Sequence, residues 1–207
     1  MHTKLLDTKD ITCYRKNLNT AAEALKSGEV VAFPTETVYG IGVNAQDGDA
    51  VAMLHDVKNR PRDKEFAHLI SDLEEISGLV DMHLYAKILV KRFWPGPLTI
   101  VFSEPGKKDV GVRFPRHKVA QVLVRLAGVP VLATSANVSG KPPATDAQKV
   151  LEYFGNRIEI ILDGGPSTMK TPSTVVKVTR GACVLLREGA IPKKRIMSCL
   201  SAKVEVN

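Results

Sequence analysis

The sequence predicts an α/β domain on a mixed sheet, and three observations lead there. Strand-like apolar runs alternate with helically spaced segments along most of the chain, the pattern of a sheet with covering helices. Near the C-terminus, Ile158–Leu162, Thr174–Val178 and Cys183–Leu186 follow one another as strands with no helix between them, which calls for a mixed rather than a purely parallel sheet. Finally, 207 residues with 44% hydrophobic and 25% charged content are ordinary for one globular domain with a real core. No internal repeat, low-complexity tract or linker interrupts the pattern.

Thr20, with Glu23 three residues later, forms a capping-box pattern for a helix to about Ser27, and Gly28 is its stop. Val30–Phe33 is a short apolar strand ended by Pro34, which lacks a ladder donor. Thr35, Glu36, Thr37 and Tyr39 make a hydroxyl-rich turn, where Gly40 and Gly42 let the backbone bend sharply or let a ligand lie close. A helix follows, capped by Asp47 or Asp49, with Ala50, Met53, Leu54 and Val57 inward, and it ends in Lys58-Asn59-Arg60-Pro61-Arg62. Phe66–Ile70 is a strand that carries His68; a histidine in an apolar strand is more often packed than functional.

Beyond it, a helix at about His83–Phe93 has Tyr85, Ile88, Leu89 and Phe93 on one face, and Trp94-Pro95-Gly96-Pro97 breaks it before a strand at Leu98–Phe102. Val110–Phe114 alternates, with Val110, Val112 and Phe114 on one face and Gly111 and Arg113 on the other. The next helix turns Val119, Val122, Leu123 and Leu126 inward and stops at Gly128. Val129–Ala133 is a strand leading into the hydroxyl- and amide-rich loop Thr134-Ser135-Ala136-Asn137-Val138-Ser139-Gly140, which is either turn chemistry or a ligand lining. It is neither a P-loop nor a Gly-x-Ser-x-Gly elbow, so nothing argues for a serine hydrolase. Thr145 with Gln148 caps a helix that carries Ala147, Val150, Leu151 and Phe154 and ends at Gly155.

Two features point to the chemistry. Pro61 pushes Arg60 into an extended conformation, which would set Lys58, Arg60 and Arg62 on one face beside the hydroxyl turn, a cluster suited to a polyphosphate. Cations at a helix C-terminus also simply offset the macrodipole. A formal charge of +7 and a pI near 9.3 agree with phosphate or nucleic acid as partner. The first residues lack a signal-peptide core and no long apolar run occurs, so the chain is expected in the cytoplasm, away from membranes. Cys13, Cys183 and Cys199 are few and scattered, fitting reduced thiols rather than a disulfide framework or a zinc site.

From about Thr20 to Ile191 the chain resembles the YrdC-like threonylcarbamoyl-AMP synthase family. The matching pieces, in order, are FPTETVYGIG, KNR, VRFP, TSANVSGKP, PSTVV and LREG. The resemblance implies a twisted mixed sheet with flanking helices and a basic concave cavity, in the short single-domain form over residues 1–207 with brief terminal extensions. It implies an enzyme that joins L-threonine, bicarbonate and ATP into threonylcarbamoyl-AMP and pyrophosphate. The product would pass to a tRNA threonylcarbamoyl-transferase complex, with direct tRNA contact as a further expectation. Lys58 and Arg60 would be catalytic; Lys58, Arg60, Arg62, Ser135, Asn137 and Arg187 would bind ATP; Thr35, Arg113, Ser173 and His68 would bind threonine. Magnesium would arrive on the ATP oxygens, since no all-protein cage is evident.

The chain departs from the family pattern in three places. Glu65 replaces a proline after the basic cluster, Leu69 stands where many members have histidine, and Asp109 and Pro143 stand where hydroxyls are common. Because the face of a strand reverses with each residue, His68 is one position out of register for the threonine role. The rival readings are a non-catalytic double-stranded RNA-binding protein, which would want more than 5% aromatic residues for stacking, and a carbamoyl-transfer relative.

Overall fold

The computed structural model describes residues 2–201. Ten strands form one sheet: β1 (Lys4–Asp7), β2 (Val31–Phe33), β3 (Gly40–Asn44), β4 (Ala67–Leu69), β5 (Leu98–Phe102), β6 (Val110–Arg113), β7 (Val131–Ser135), β8 (Ile160–Asp163), β9 (Thr174–Val178) and β10 (Cys183–Arg187). Six helices accompany them: α1 (Ile11–Lys26), α2 (Gly48–Lys58), α3 (Leu84–Phe93), α4 (Lys118–Ala127), α5 (Ala147–Phe154) and α6 (Lys193–Ser201). The strand order is β1-β8-β2-β3-β7-β4-β6-β5-β9-β10. The pairs β1–β8, β2–β8, β4–β6 and β5–β9 are parallel and β2–β3, β3–β7, β4–β7, β5–β6 and β9–β10 are antiparallel, so the sheet is mixed, as expected.

Register decides what each face carries. On one face Val31, Phe33, Val131 and Ala133 pack under α1 and α4 around Leu18, Leu25, Val119 and Leu123. The opposite face is covered twice: α2 and α5 sit over Ala32, Ile41, Val43 and Ile161, while α3 and α6 sit over Ile100, Val112 and Val176. Two helices against four leave part of the first face open. Along it Ala133 pairs with Ala67 and Ala67 with Gly111, a row of small side chains across β7, β4 and β6. A Cβ added at Gly111 would lie 3.2 Å from the Ala67 Cβ, so the row has no spare room between strands.

Several local expectations shift. Helix α1 starts nine residues before the predicted cap, because the Asp10 side chain accepts from Thr12 N and captures the N-terminus. Thr20 lies inside it, its hydroxyl bonded to Lys16 O. Asp47 caps α2, but Met53 is 50% exposed, and Leu126 of α4 is 42% exposed while Ala120, Val124 and Ala127 are buried instead. Asp146, not Thr145, caps α5, through Lys149 N. Gly40 and Gly42 form no turn: they are paired residues of β3. A Cβ on Gly40 would meet the Phe33 ring at 2.6 Å and one on Gly42 would meet Leu132 O at 2.8 Å, so these glycines permit close strand packing. Strands β1 and β3 and helix α6 were not expected. The stretch past Ile191 continues as α6, and residues 202–207 lie outside the described part. Among the described residues no helix is long and apolar enough to cross a membrane.

Candidate active site

The open part of the first face floors a cavity of about 320 Å³. Its floor is the small-residue row Ala133, Ala67 and Gly111 with Gly40, and its rim carries Thr35, Arg60, Arg113, Ser135, Ser173 and Arg187. Six of the ten predicted site residues therefore meet at one place.

Arg113 leaves the end of β6 on the cavity face, as its strand parity requires. Its Nη2 donates to Glu36 Oε1 at 3.1 Å and to Thr37 Oγ1 at 2.8 Å. The Thr35 hydroxyl sits 2.9 Å from Thr37 Oγ1 and donates to Val38 O at 2.5 Å, tying the turn after β2 into a rigid block. Across the cavity, Arg187 donates from Nε and Nη2 to Ser173 O, and the Ser173 hydroxyl is 2.9 Å from Thr99 Oγ1. Burial lowers the Arg187 pKa from its ordinary value, and the cations Arg113 and Arg60 push it the same way. Two cavity carboxylates, Glu65 and Asp109, are each drawn to an outside lysine, Lys108 at 3.6 Å and Lys177 at 2.8 Å. What remains facing the cavity is three guanidinium groups and a ring of hydroxyls, a lining for anions.

Arg60 follows the helix stop. Asn59 adopts the left-handed conformation with φ 50° as the C-cap of α2, which turns the chain out of the helix. Arg60 Nε then donates to Lys64 O and Nη2 to Glu65 O, both at 2.9 Å, and its guanidinium lies 5.2 Å from the centre of the Phe66 ring. The expected alignment of three cations on one face fails at this stop. Lys58 is still helical and 2% exposed; its Nζ points inward and donates to Ser135 O at 2.5 Å and Asn137 O at 2.7 Å. Arg62 folds back onto α2, donating to Asp56 Oδ1 at 2.6 Å and to Ala52 O at 2.8 Å, away from the cavity. Arg62 is thus set apart from the cavity lining, contrary to the expected alignment with Lys58 and Arg60.

Asn137 also stands behind the lining. Its Oδ1 accepts from Ser135 Oγ at 2.6 Å and its Nδ2 donates to Val138 O and Lys141 O. Lys58 and Asn137 together clamp the loop that follows β7, so both shape the rim without lining it. His68 pairs with Val112 and Leu132, residues of the opposite face, whereas its neighbours Ala67 and Leu69 line the cavity. The expected threonine contact by His68 is thus corrected, for the parity reason already given. Burial lowers the His68 pKa.

Sequence reasoning missed Glu36 and Thr99 as members of the site. Glu36 stood in the quoted turn, but its partner is 77 positions away and nothing local signals it. Thr99 faces Arg113 across the β5–β6 pair, and the alternation of Leu98–Phe102 was the available signal. Among the described residues no group of three His, Cys, Asp or Glu is placed to hold a metal ion.

A family model described as Telomere recombination, Sua5_yciO_yrdC, matches residues 23–189. The chain is 41% identical over 189 residues to a threonylcarbamoyl-AMP synthase of Pyrococcus abyssi, covering 86% of this chain and 56% of that protein. It is also 41% identical over 202 residues to the threonylcarbamoyl-AMP synthase of Bacillus subtilis, covering 91% of this chain and 58% of that one. The crystal structure of P. abyssi Sua5 complexed with L-threonine superposes with a TM-score of 0.89 at 39% identity, over 96% of this chain and 61% of that chain. The chain thus spans a little over half the length of these relatives.

Proposed function

The chain belongs to the Sua5/YciO/YrdC family, and from that premise we propose that it is a threonylcarbamoyl-AMP synthase working in the cytoplasm for tRNA modification. The observation that carries this reading is the convergence of Arg60, Arg113 and Arg187 with the hydroxyls of Thr35, Thr99, Ser135 and Ser173 on one cavity. Such a lining suits a substrate set that is anionic at both ends, a triphosphate and an amino-acid carboxylate.

In this reading Arg113 takes the threonine carboxylate beside Thr35 and Ser173. The threonine amine combines with bicarbonate, losing water, to give a carbamate. A carbamate oxygen then attacks the α-phosphorus of ATP, forming the mixed anhydride threonylcarbamoyl-AMP, and the bond to pyrophosphate breaks. The carbamate is already a nucleophile, so the protein's work is to hold two anions in line and offset charge on the departing pyrophosphate. Arg60 and Arg187 supply that charge from fixed positions. Lys58 and Asn137 act through the loop they clamp, holding Ser135 against the nucleotide. Magnesium suits this site only as a passenger on the ATP phosphates, because the cavity carboxylates Glu65 and Asp109 are already paired. The product passes to a transferase that consumes a reactive mixed anhydride.

The test is pyrophosphate release from ATP with threonine and bicarbonate omitted in turn. Release that needs both supports the reading, and release from ATP alone overturns it.

A further inference from the structure

Glu36 does not line the cavity, yet it is bonded to the arginine that does. Its side chain is 7% exposed and that of Arg113 is 12% exposed. Within this pair Glu36 Oε2 and Arg113 Nε are both buried and lack a hydrogen-bond partner among the described residues. A buried ion pair with unmatched atoms is a poor stabiliser, since desolvation of both charges is incompletely offset. Its presence is better explained by what it does to Arg113.

The geometry of the contact supports that. Glu36 follows β2, Arg113 ends β6, and β3, β7 and β4 lie between them in the sheet. Four strand spacings amount to about 19 Å, so the contact is made over the open face rather than between neighbours. The far end of Glu36 is also fixed: its carbonyl accepts from Met169 N at 2.9 Å and from Thr168 Oγ1 at 3.1 Å. A side chain anchored at its backbone and paired directly with Arg113 fixes where that guanidinium points, while His117 lies near enough to feel the same carboxylate. Glu36 also offsets the repulsion among Arg113, Arg60 and Arg187, which adds to burial in lowering the Arg187 pKa.

We propose that Glu36 is a positioning residue for the amino-acid substrate: by holding Nη2 of Arg113, together with Thr37, it leaves the rest of the guanidinium aimed at an α-carboxylate in the cavity. The inference rests on the reading of Arg113 as the carboxylate partner. It makes Glu36 a determinant of threonine affinity with no direct contact to threonine.

Steady-state kinetics of Glu36→Ala, Glu36→Gln, Arg113→Ala and the Glu36→Ala/Arg113→Ala double variant test it, each checked by a circular dichroism melt. Glu36→Ala is expected to raise the threonine KM by about 10- to 100-fold, the scale of one hydrogen bond to a charged group, with the ATP KM within about threefold. Glu36→Gln keeps an acceptor for Nη2 and loses the charge, so it falls between wild type and Ala. The double variant should be no worse for threonine than Arg113→Ala alone, because Glu36 acts through Arg113. Additive losses, or equal rises in both KM values, overturn the proposal. If Glu36→Ala does not fold, Glu36→Gln decides: an unchanged threonine KM overturns the proposal, and a selective rise supports it. Should Arg113→Ala itself leave the threonine KM unchanged, the functional reading of Arg113 fails, which is a different outcome from a silent Glu36.

Discussion

Replacing Arg60 by alanine separates chemistry from stability. The side chain is half-buried, and its truncation removes two donations to the carbonyls of Lys64 and Glu65 and the stacking on Phe66. The carbonyls lie at the surface and regain water, so the folding cost is about 1–2 kcal/mol. For a chain of 207 residues that lowers the thermal midpoint by roughly 2–8 °C. The loss in rate is larger. A preorganised charge facing the transferring phosphates is worth on the order of 10² to 10³ in kcat, about 2.7–4 kcal/mol. The assay is pyrophosphate release with ATP, threonine and bicarbonate saturating, beside a melt of the same preparation. A folded Arg60→Ala variant that keeps more than about half of wild-type activity refutes the argument that this guanidinium serves the phosphates.

Two other predictions concern residues that left the lining. Burial holds the Lys58 ammonium down to about 7 from an ordinary 10.5, with Arg60 adding to the effect. Between those values the unfolded chain binds more protons than the folded one, so the lowered pKa makes stability rise with pH, by up to about 1.4 kcal/mol per unit. Urea titrations from pH 7 to 9.5 should show this slope in wild type and a flatter one in Lys58→Met; equal slopes refute it. For His68, on the face opposite the cavity, His68→Leu should leave the threonine KM within about twofold, and a tenfold rise would return the residue to the site.

Legibility in the sequence followed the range of the interaction. Strands β5 and β9 have the predicted bounds, since Leu98–Phe102 and Thr174–Val178 are bracketed by prolines, serine and polar residues that end a strand locally. The face of Arg113 was readable from alternation alone. Strand β3 was not, because Gly40 and Gly42 carry a turn signature, and only the ring of Phe33 and the carbonyl of Leu132 reveal them as close-packing residues. Arg62 was misplaced for a similar reason: side-chain parity holds along an extended segment, and the left-handed Asn59 interrupts it. The helix cap expected at Thr20 lost to Asp10, whose side chain accepts from Thr12 N and starts α1 a full nine residues earlier. Glu36 was invisible as a partner, because a bridge over three strands leaves no trace in spacing.

The lining of the cavity runs from Phe33 to Arg187 and draws on β2, β3, β4, β5, β6, β7, β9 and β10. No contiguous piece of the chain carries the whole of it. Antiparallel and parallel pairings of widely separated strands close late in folding, after their loop entropy has been overcome. A site that needs all of these strands is complete only in the finished molecule. A ligand at a hundred times its Kd then adds about 2.7 kcal/mol to stability. That gain falls on the unfolding rate, leaving the folding rate nearly unchanged, so saturating substrate lengthens the life of the native state without hastening its formation.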